Sequence, residues 1–133
     1  MQACYANNAV FNDEVFVNLN AEEVKAMWEM FCVKGEDMQV SFADAKAEGE
    51  TGSAQWTAHY TFSKTGKKVV NRIKANFVFS EGKIIKHTDH FNFYHWARQA
   101  LGLSGNLLGW SSFLKDKVRK QAKKNLQEYM ASR

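Results

Sequence analysis

The sequence contains no proline and only two cysteines among its 133 residues. Without proline a collagen-like or polyproline-rich chain is excluded, and two cysteines are too few for a disulfide scaffold. The longest weakly polar stretch, residues 100–114, is interrupted by glycine and serine and is too short to cross a bilayer. The N-terminus lacks the basic region and apolar run of a secretory signal peptide. These absences predict a cytoplasmic protein without a transmembrane segment.

What is present is ordinary globular composition. Hydrophobic residues make up 45% of the chain and charged residues 24%, which argues against disorder, and the length suits one domain. Cys4 and Cys32 have apolar neighbours and lack a Cys-x-x-Cys partner, so we predict reduced, packed thiols.

The net charge of +4 is concentrated at the C-terminus. Residues 111–133 carry seven basic and two acidic side chains, whereas residues 1–110 carry eleven basic and twelve acidic ones. Such a basic tail can attract nucleic acid or anionic lipid. The alternative, which we prefer, is the solvated face of a C-terminal helix, and we expect no nucleic acid partner.

The first third of the chain predicts one well-defined helix. Residues 1–6 look like the end of a helix whose beginning is missing, and residues 9–17 form a short β-prone segment. Asn20 then provides an N-cap, with Glu23 three residues later as in a capping box. Apolar residues at helical spacing follow until Gly35, where we expect the helix to stop.

The middle of the chain predicts strands joined by tight turns. Alternating polarity indicates strands over residues 38–48, 53–63, 69–79 and 83–94. The last three must form an antiparallel, curved sheet. A short helix over residues 95–101, a glycine-broken loop over residues 102–110 and a basic helix over residues 112–130 follow.

The last strand carries the most informative polar residues. Its alternation places His87 and Asp89 on the apolar face, together with Ile85, Phe91 and Phe93. An imidazole and a carboxyl among aromatic side chains must pair or line a cavity, where the carboxyl could act as acid or base. The alternative is a buried hydrogen-bonded pair that only fixes the core.

Two further polar residues stand out. Asn71 interrupts an otherwise apolar strand face, either as a ligand contact or as a satisfied core amide. Asp13 leaves an apolar strand just before the chain turns, where a turn-forming aspartate is common. Metal-binding histidine spacings, Walker loops and dinucleotide fingerprints are absent, so we predict neither a metal nor another cofactor.

A helix end running into CYANNAVFNDEVF is followed by a helix with AEEVKAMWEMF and by long hairpins that end in FSEGKIIKHTDHFNFY. This order of elements resembles the nuclear-transport-factor-2-like superfamily, in its SnoaL-like and ketosteroid-isomerase-like branch. The resemblance implies an α+β fold in which a curved antiparallel sheet wraps around helices to form a cone. It covers residues 1–95, with a truncated first helix. WARQALG and the basic helix, residues 96–133, look like an extension of a bacterial subgroup that packs on the same domain.

The resemblance also suggests roles for the polar residues. Asp13 falls where ketosteroid isomerases carry their general base, and His87 and Asp89 match cavity positions of SnoaL-like cyclases. The isomerase oxyanion hole is not retained: its carboxyl position matches Ala75, and its tyrosine would lie on the missing helix. Since one such donor is worth about 3 kcal/mol, the resemblance argues against true steroid isomerase activity.

We therefore predict a protein that binds a small hydrophobic molecule in an apolar conical pocket, with isomerase-, cyclase- or hydrolase-type acid–base chemistry on Asp13, His87 and Asp89. The predicted pocket residues are Trp28, Trp56, Tyr60, Asn71, Phe77 and Phe91. The competing prediction is a non-catalytic binding or interaction module of the same fold. In both cases the polar outer sheet face, rich in threonine and histidine, predicts a homodimer.

The C-terminal helix has two interpretations. Its apolar positions recur at spacings of three and four, from Phe113 through Leu126 to Met130. Such a helix can dock on its own domain or lie on an anionic membrane. We prefer docking, because the apolar side chains are too numerous for a solvated tail.

Overall fold

A computed structural model describes residues 2–35, 37–62, 64–102 and 111–132. These residues form a mixed α+β fold with five strands and three α-helices, as predicted. After a short 3-10 turn at Gln2–Cys4, the elements are β1 (Tyr5–Asn12), α1 (Ala21–Lys34), β2 (Gln39–Glu48), β3 (Thr51–Phe62), β4 (Lys67–Ser80), β5 (Lys83–His90), α2 (Phe93–Leu101) and α3 (Ser111–Ser132).

The strands form a single curved sheet in the order β1-β5-β4-β3-β2. Strands β2 to β5 are antiparallel neighbours, and β1 runs parallel to β5 at the edge. The turn between β4 and β5 has positive φ at both central residues, Glu81 (52°) and Gly82 (78°). This is the conformation that matches the twist of a two-residue hairpin, so the predicted Ser80–Lys83 turn is confirmed.

The first helix follows its sequence signals closely. The Asn20 side chain accepts from the Glu23 amide at 2.9 Å, and Glu23 accepts from the Asn20 amide at 3.1 Å. This reciprocal capping box starts α1, which ends before Gly35 as predicted. Val24, Met27 and other apolar residues of α1 are buried against the inner face of the sheet.

The N-terminal prediction is wrong. A single 3-10 turn at Gln2–Cys4 leads directly into β1 at Tyr5, so residues 2–6 are not the last turns of an α-helix. β1 starts four residues before the predicted span of residues 9–17 and overlaps only its first four residues. The register with β5 shifts between Tyr5 and Val10, and Asn7 is exposed although it lies between the buried Tyr5 and Ala9. Buried residues four apart are compatible with a helix as well as with a strand, so this pattern does not distinguish the two.

The end of the last strand is also corrected. β5 stops at His90, and the Asn92 side chain accepts from the His95 amide to cap α2, which starts at Phe93 rather than at residue 95. Alternating aromatics suggested a longer strand, but the asparagine cap decides the local structure. At the other end, Gly102 takes the left-handed conformation that terminates α2. Of the loop predicted over residues 102–110, residues 103–110 lie outside the described residues.

Helix α3 packs onto the domain with its apolar stripe. Leu126 is only 1% exposed and joins the main core beside α1, while Leu114 and Val118 pack against a second cluster near α2. Polar contacts add to the docking. Lys115 lies 2.7 Å from a Glu14 carboxylate oxygen, and Arg119 donates to the Glu14 carbonyl at 3.0 Å. Phe113, by contrast, is exposed.

The prediction of packed thiols is wrong, because Cys4 and Cys32 are both free and exposed. Cys32 falls beside Val33 on the outer face of α1, away from the buried residues. Within the described ranges, no group of three or more histidine, cysteine, aspartate or glutamate residues is arranged to hold a metal ion. No helix in the described part of the chain has the length and apolar character needed to cross a membrane.

Candidate functional site

The candidate site is built on the inner face of the sheet, where β5 lies between β1 and β4. His87 pairs with Phe77 of β4 and Phe11 of β1, and Asp89 pairs with Ala75. Directly paired residues share a face, so the two polar side chains point inward among apolar neighbours. His87 is 2% exposed and Asp89 3%.

One feature of the predicted β5 face is corrected. A register shift against β4 leaves Ile85 without a partner and pairs Ile84 with Phe79. Ile84, not Ile85, is therefore the buried residue that joins the core. A bulge of this kind reverses the alternation of the residues before it relative to those after it. His87 and Asp89 follow the bulge, so their inward direction is unaffected.

His87 and Asp89 belong to a chain of four hydrogen-bonded side chains. The Trp28 indole Nε1–H donates to the Tyr5 hydroxyl at 2.9 Å. The Tyr5 hydroxyl lies 2.8 Å from His87 Nδ1, and His87 Nε2 lies 2.7 Å from Asp89 Oδ1. Both imidazole nitrogens therefore have partners, and the chain links α1, β1 and β5.

Aromatic rings enclose the His87 imidazole. Ring centroids lie 4.4 Å away for Phe77, 4.9 Å for Phe11, 6.0 Å for Tyr5 and 6.4 Å for Trp28. With this enclosure and both nitrogens occupied, the imidazole has no free edge for a ligand. His87 can act on a bound molecule only through Asp89.

Asp13 lies just beyond the end of β1, in a tight turn. Its Oδ1 accepts from the amides of Val15 at 2.7 Å and Phe16 at 2.5 Å, and its own amide donates to the Phe16 carbonyl. This is the turn-forming role that the sequence left open for Asp13.

The environment of Asp13 favours its protonated form. Burial raises the pKa of Asp13 from 3.8 to about 7, and the negative charge of Asp89 contributes further to the rise. The two backbone hydrogen bonds to Oδ1 act in the opposite direction and only partly offset burial. Asp13 therefore changes charge near neutral pH, within electrostatic range of Asp89.

Within the described residues, each of the two carboxyl groups has one oxygen without a hydrogen-bond partner. The hydrogen bonds of Asp13 and Asp89 there all involve Oδ1. No completely buried side-chain nitrogen or oxygen of the described residues lacks a hydrogen-bond partner. The two Oδ2 atoms are therefore not completely buried. The same reasoning applies to the side-chain amide of Asn71, for which the described residues supply no hydrogen bond.

Tyr60 presents a donor next to these groups. Its hydroxyl oxygen accepts from the Trp96 indole at 2.7 Å. Its own hydrogen has no acceptor among the described residues. Burial raises the pKa of Tyr60, and the Asp13 charge adds to the rise. Tyr60 thus keeps its proton at neutral pH and remains able to donate it in a hydrogen bond.

The other predicted pocket residues lie along the same inner face. Trp28 and Trp56 contact each other with ring centroids 5.9 Å apart, and Trp56 is paired with Ile73. Phe91 packs instead with the second cluster near α2. The predicted aromatics Trp28, Trp56, Tyr60, Phe77 and Phe91 are all half-buried rather than fully enclosed.

The β2 edge of the sheet is more exposed than the β1 edge. Every residue of β2 is exposed, including Phe42 at 72%, although Phe42 pairs with Trp56. A shallow cleft of about 350 Å³ lies on the outer face and is lined by Asp44, Lys46, Ser53, Ala54, Gln55 and Lys74. None of the predicted catalytic or pocket residues lines this cleft.

Sequence reasoning missed Tyr5 and Trp96, the partners of His87 and Tyr60. The sequence pattern predicts that Tyr5 ends a helix. Its hydrogen bond with His87 depends on the parallel pairing of β1 with β5, about 80 residues apart. The β propensity of Tyr5 and its position before an apolar segment were the only available signals.

A family model described as a SnoaL-like domain matches residues 1–87, about two thirds of the chain. A search of curated protein sequences found no match. Many solved structures have a similar fold.

Three of these structures illustrate the likeness. A proposed polyketide cyclase from Streptomyces antibioticus, IdmH, is 17% identical, covers 76% of this chain and 84% of its own, and has a TM-score of 0.60. A proposed SnoaL-like polyketide cyclase from a Jannaschia species is 11% identical over 77% of each chain, with a TM-score of 0.65. A protein with a ketosteroid-isomerase-like fold from Catenulispora acidiphila, solved with trimethylamine, is 11% identical over 79% and 82%, with a TM-score of 0.65.

Proposed function

Because the chain belongs to the SnoaL-like domain family, we propose that it binds a small hydrophobic molecule on the inner face of its sheet and transfers a proton to or from it. The observation that carries this proposal is the set of unpaired polar atoms on that face. Asp13 Oδ2, Asp89 Oδ2 and the Asn71 amide have no hydrogen-bond partner among the described residues and are not completely buried, and the predicted pocket aromatics are half-buried. An apolar surface with a few converging polar groups is typical of small-molecule sites.

Asp13 is the proposed acid–base group. A pKa of about 7 is close to the operating pH, which makes a carboxyl effective in both accepting and returning a proton. Asp89 has a different environment, because it is hydrogen-bonded to His87, whereas Asp13 accepts only from backbone amides among the described residues. Two carboxyls in unlike environments can divide the roles of proton carrier and fixed charge.

Tyr60 and Asn71 are the proposed positioning groups for the bound molecule. The Tyr60 hydroxyl hydrogen and the Asn71 amide can donate to a carbonyl or enolate oxygen, while Trp28, Trp56 and Phe77 supply apolar and aromatic contacts. A molecule with a carbonyl on a planar hydrocarbon frame fits this combination. The polyketide cyclase descriptions of two structural neighbours are consistent with such a ligand class.

The binding step can be tested with 1-tetralone, a small bicyclic ketone, by two-dimensional NMR. The proposal predicts that the indole N–H signals of Trp28 and Trp56 shift on titration, while the signal of the Lys74 amide on the outer face stays fixed. Trp56→Leu should weaken binding at least about fivefold, which corresponds to about 1 kcal/mol. Shifts confined to the outer face, or none at millimolar ketone, would contradict the proposal.

A second candidate function is a non-catalytic binding module, favoured by the complete burial of His87 and its two satisfied nitrogens. In that case the Trp28-to-Asp89 chain only stabilises the fold. The two functions differ in one measurement: both predict binding of the ketone, but only the enzyme catalyses exchange of its α protons with solvent.

We further propose that the outer sheet face forms a homodimer in the cytoplasm. Its residues Gln55, Thr57, His59, Arg72, Lys74, Thr88 and His90 are exposed or half-buried in the single chain. Sedimentation at micromolar concentration should give a species of about 30 kDa, twice the 15.2 kDa chain. A 15 kDa species alone would contradict the dimer.

A further inference from the structure

We infer that Tyr5 is a positioning residue of the candidate site: its hydroxyl donates to His87 Nδ1 and so fixes the tautomer whose Nε2–H holds Asp89. This inference deepens the proposed function, and its role in proton transfer rests on that function. The direction of each hydrogen bond follows from counting donors along the chain of four side chains.

Trp28 is the first donor of this chain, because an indole N–H can only donate. Its hydrogen bond of 2.9 Å therefore occupies a lone pair of the Tyr5 oxygen. Tyr5 has one hydroxyl hydrogen, and its second partner among the described residues is His87 Nδ1 at 2.8 Å. The hydroxyl donates to Nδ1 unless Nδ1 itself carries a hydrogen.

A protonated Nδ1 would leave the Tyr5 hydroxyl hydrogen without an acceptor in a side chain that is only 2% exposed. Leaving a buried donor unsatisfied is unfavourable, so the Tyr5 hydroxyl is the donor. Burial also raises the pKa of Tyr5, which keeps this hydrogen on the oxygen.

Asp89, at the other end of the imidazole, requires the same tautomer of His87. Asp89 Oδ1 lies 2.7 Å from His87 Nε2, and a carboxylate can only accept. The single hydrogen of a neutral imidazole must therefore be on Nε2. Both ends are satisfied by one tautomer, so Trp28, Tyr5 and His87 each donate to the next side chain, and Asp89 is the final acceptor.

The consequence for the site is geometric. With Oδ1 of Asp89 held by Nε2–H, the carboxyl cannot rotate freely, and the position of Oδ2 is fixed with it. Tyr5 does not touch a ligand in this arrangement. It acts through His87, in the way that outer groups orient a histidine in other functional sites.

The tautomer can be measured by ¹⁵N NMR of protein labelled in histidine, with His87→Gln used to assign the signals. In the wild-type protein at pH 7, we expect one protonated nitrogen, Nε2, and one unprotonated nitrogen, Nδ1. Tyr5→Phe should shift the Nδ1 signal, because it removes the hydrogen bond to that nitrogen, while Nε2 stays protonated against Asp89. A protonated Nδ1 in the wild type, or unchanged signals in Tyr5→Phe, would overturn the inference.

Tyr60→Phe is the matched control, because it also removes a tyrosine hydroxyl that accepts from a tryptophan indole but lacks a histidine partner. It should leave the His87 signals in place. If Tyr5→Phe does not fold, the wild-type spectrum and Trp28→Phe decide. Trp28→Phe should keep Nε2 protonated and Nδ1 unprotonated, because the Tyr5 hydroxyl and Asp89 both remain; a protonated Nδ1 in this variant would overturn the donor assignment.

A kinetic arm separates this inference from the proposed function. Exchange of the α protons of 1-tetralone should fall at least about tenfold in kcat in Tyr5→Phe, with KM changed less than twofold. If the Nδ1 signal shifts as expected but the wild-type protein catalyses no exchange, the proposed function fails and the tautomer assignment stands. If exchange occurs and is unaffected by a demonstrated loss of the Tyr5 hydrogen bond, the positioning role is overturned.

Discussion

Asp13→Asn is expected to stabilise the protein at alkaline pH and to have a much smaller effect at acidic pH. Burial raises the pKa of Asp13 from 3.8 to about 7 in the folded state, so the folded protein binds a proton more tightly than the unfolded chain does. Stability contributed by this proton is fully present below pH 4 and is lost as the pH rises to 7. An asparagine removes the penalty of ionisation and keeps an oxygen that can accept from the Val15 and Phe16 amides.

The magnitude follows from the two pKa values. A difference from 3.8 to about 7 corresponds to about 4 kcal/mol when fully expressed, since each unit is worth about 1.4 kcal/mol. Asp13 is half-buried, and solvent screening reduces this value. We therefore expect the stabilisation by Asp13→Asn to increase by about 2 kcal/mol between pH 5 and pH 8.

The assay is urea unfolding of the wild-type protein and the variant at both pH values. Comparing the variants at each pH removes the contribution of all other titrating groups. Asp116→Asn, an exposed aspartate of α3, serves as the control and should show no such pH-dependent gain. An equal effect of Asp13→Asn at pH 5 and pH 8, or a destabilisation that grows with pH, would refute the argument from burial.

Three further predictions concern stability. Leu126→Ala should lower the free energy of unfolding in urea by about 2 to 5 kcal/mol, because Leu126 is fully buried on the inner side of α3. Gln127→Ala, at an exposed position of the same helix, should lower it by less than about 0.5 kcal/mol. Equal losses would show that α3 is not docked. Asn20→Ala should cost about 1 kcal/mol through loss of the capping box, with the exposed Asn7→Ala as its control; an unchanged unfolding midpoint would contradict the role of the cap. Asp89→Asn should change the free energy of unfolding by less than about 1 kcal/mol or increase it, since an amide can still accept from His87 and a buried charge is removed. Exchange of the ketone protons should fall in the same variant. A loss of several kcal/mol without an effect on ketone exchange would indicate a purely structural pair.

Local signals were sufficient for much of the fold. The asparagine and glutamate around α1 and the glycine turn before β5 act within a few residues, so they determine structure without help from the rest of the chain. Asn71 was correctly placed on the buried face of β4, because that strand pairs with β3 without interruption. An uninterrupted ladder preserves the period of two on which the prediction depends.

The failures arose where the structure departs from regular periodicity or depends on distant pairing. Tyr5 was missed because the register of β1 shifts and because its contact with His87 requires a parallel partner strand. Ile85 was misplaced by a bulge that nothing nearby in the sequence marks. The inward direction of His87 and Asp89 follows from alternation, but the burial that sets the charge of Asp13 comes from elements far apart in sequence.

The central claim, that Asp13 transfers protons on a molecule held at the inner face, is tested most directly by exchange of the α protons of 1-tetralone in deuterated buffer. With Asp13 as the base, the exchange rate should rise with pH and level off with a midpoint near 7, because the carboxylate form increases over that range. Asp13→Asn should remove both the exchange and its midpoint, while Asp116→Asn should retain them. Exchange no faster than in buffer, or an undiminished rate in Asp13→Asn, would contradict the claim.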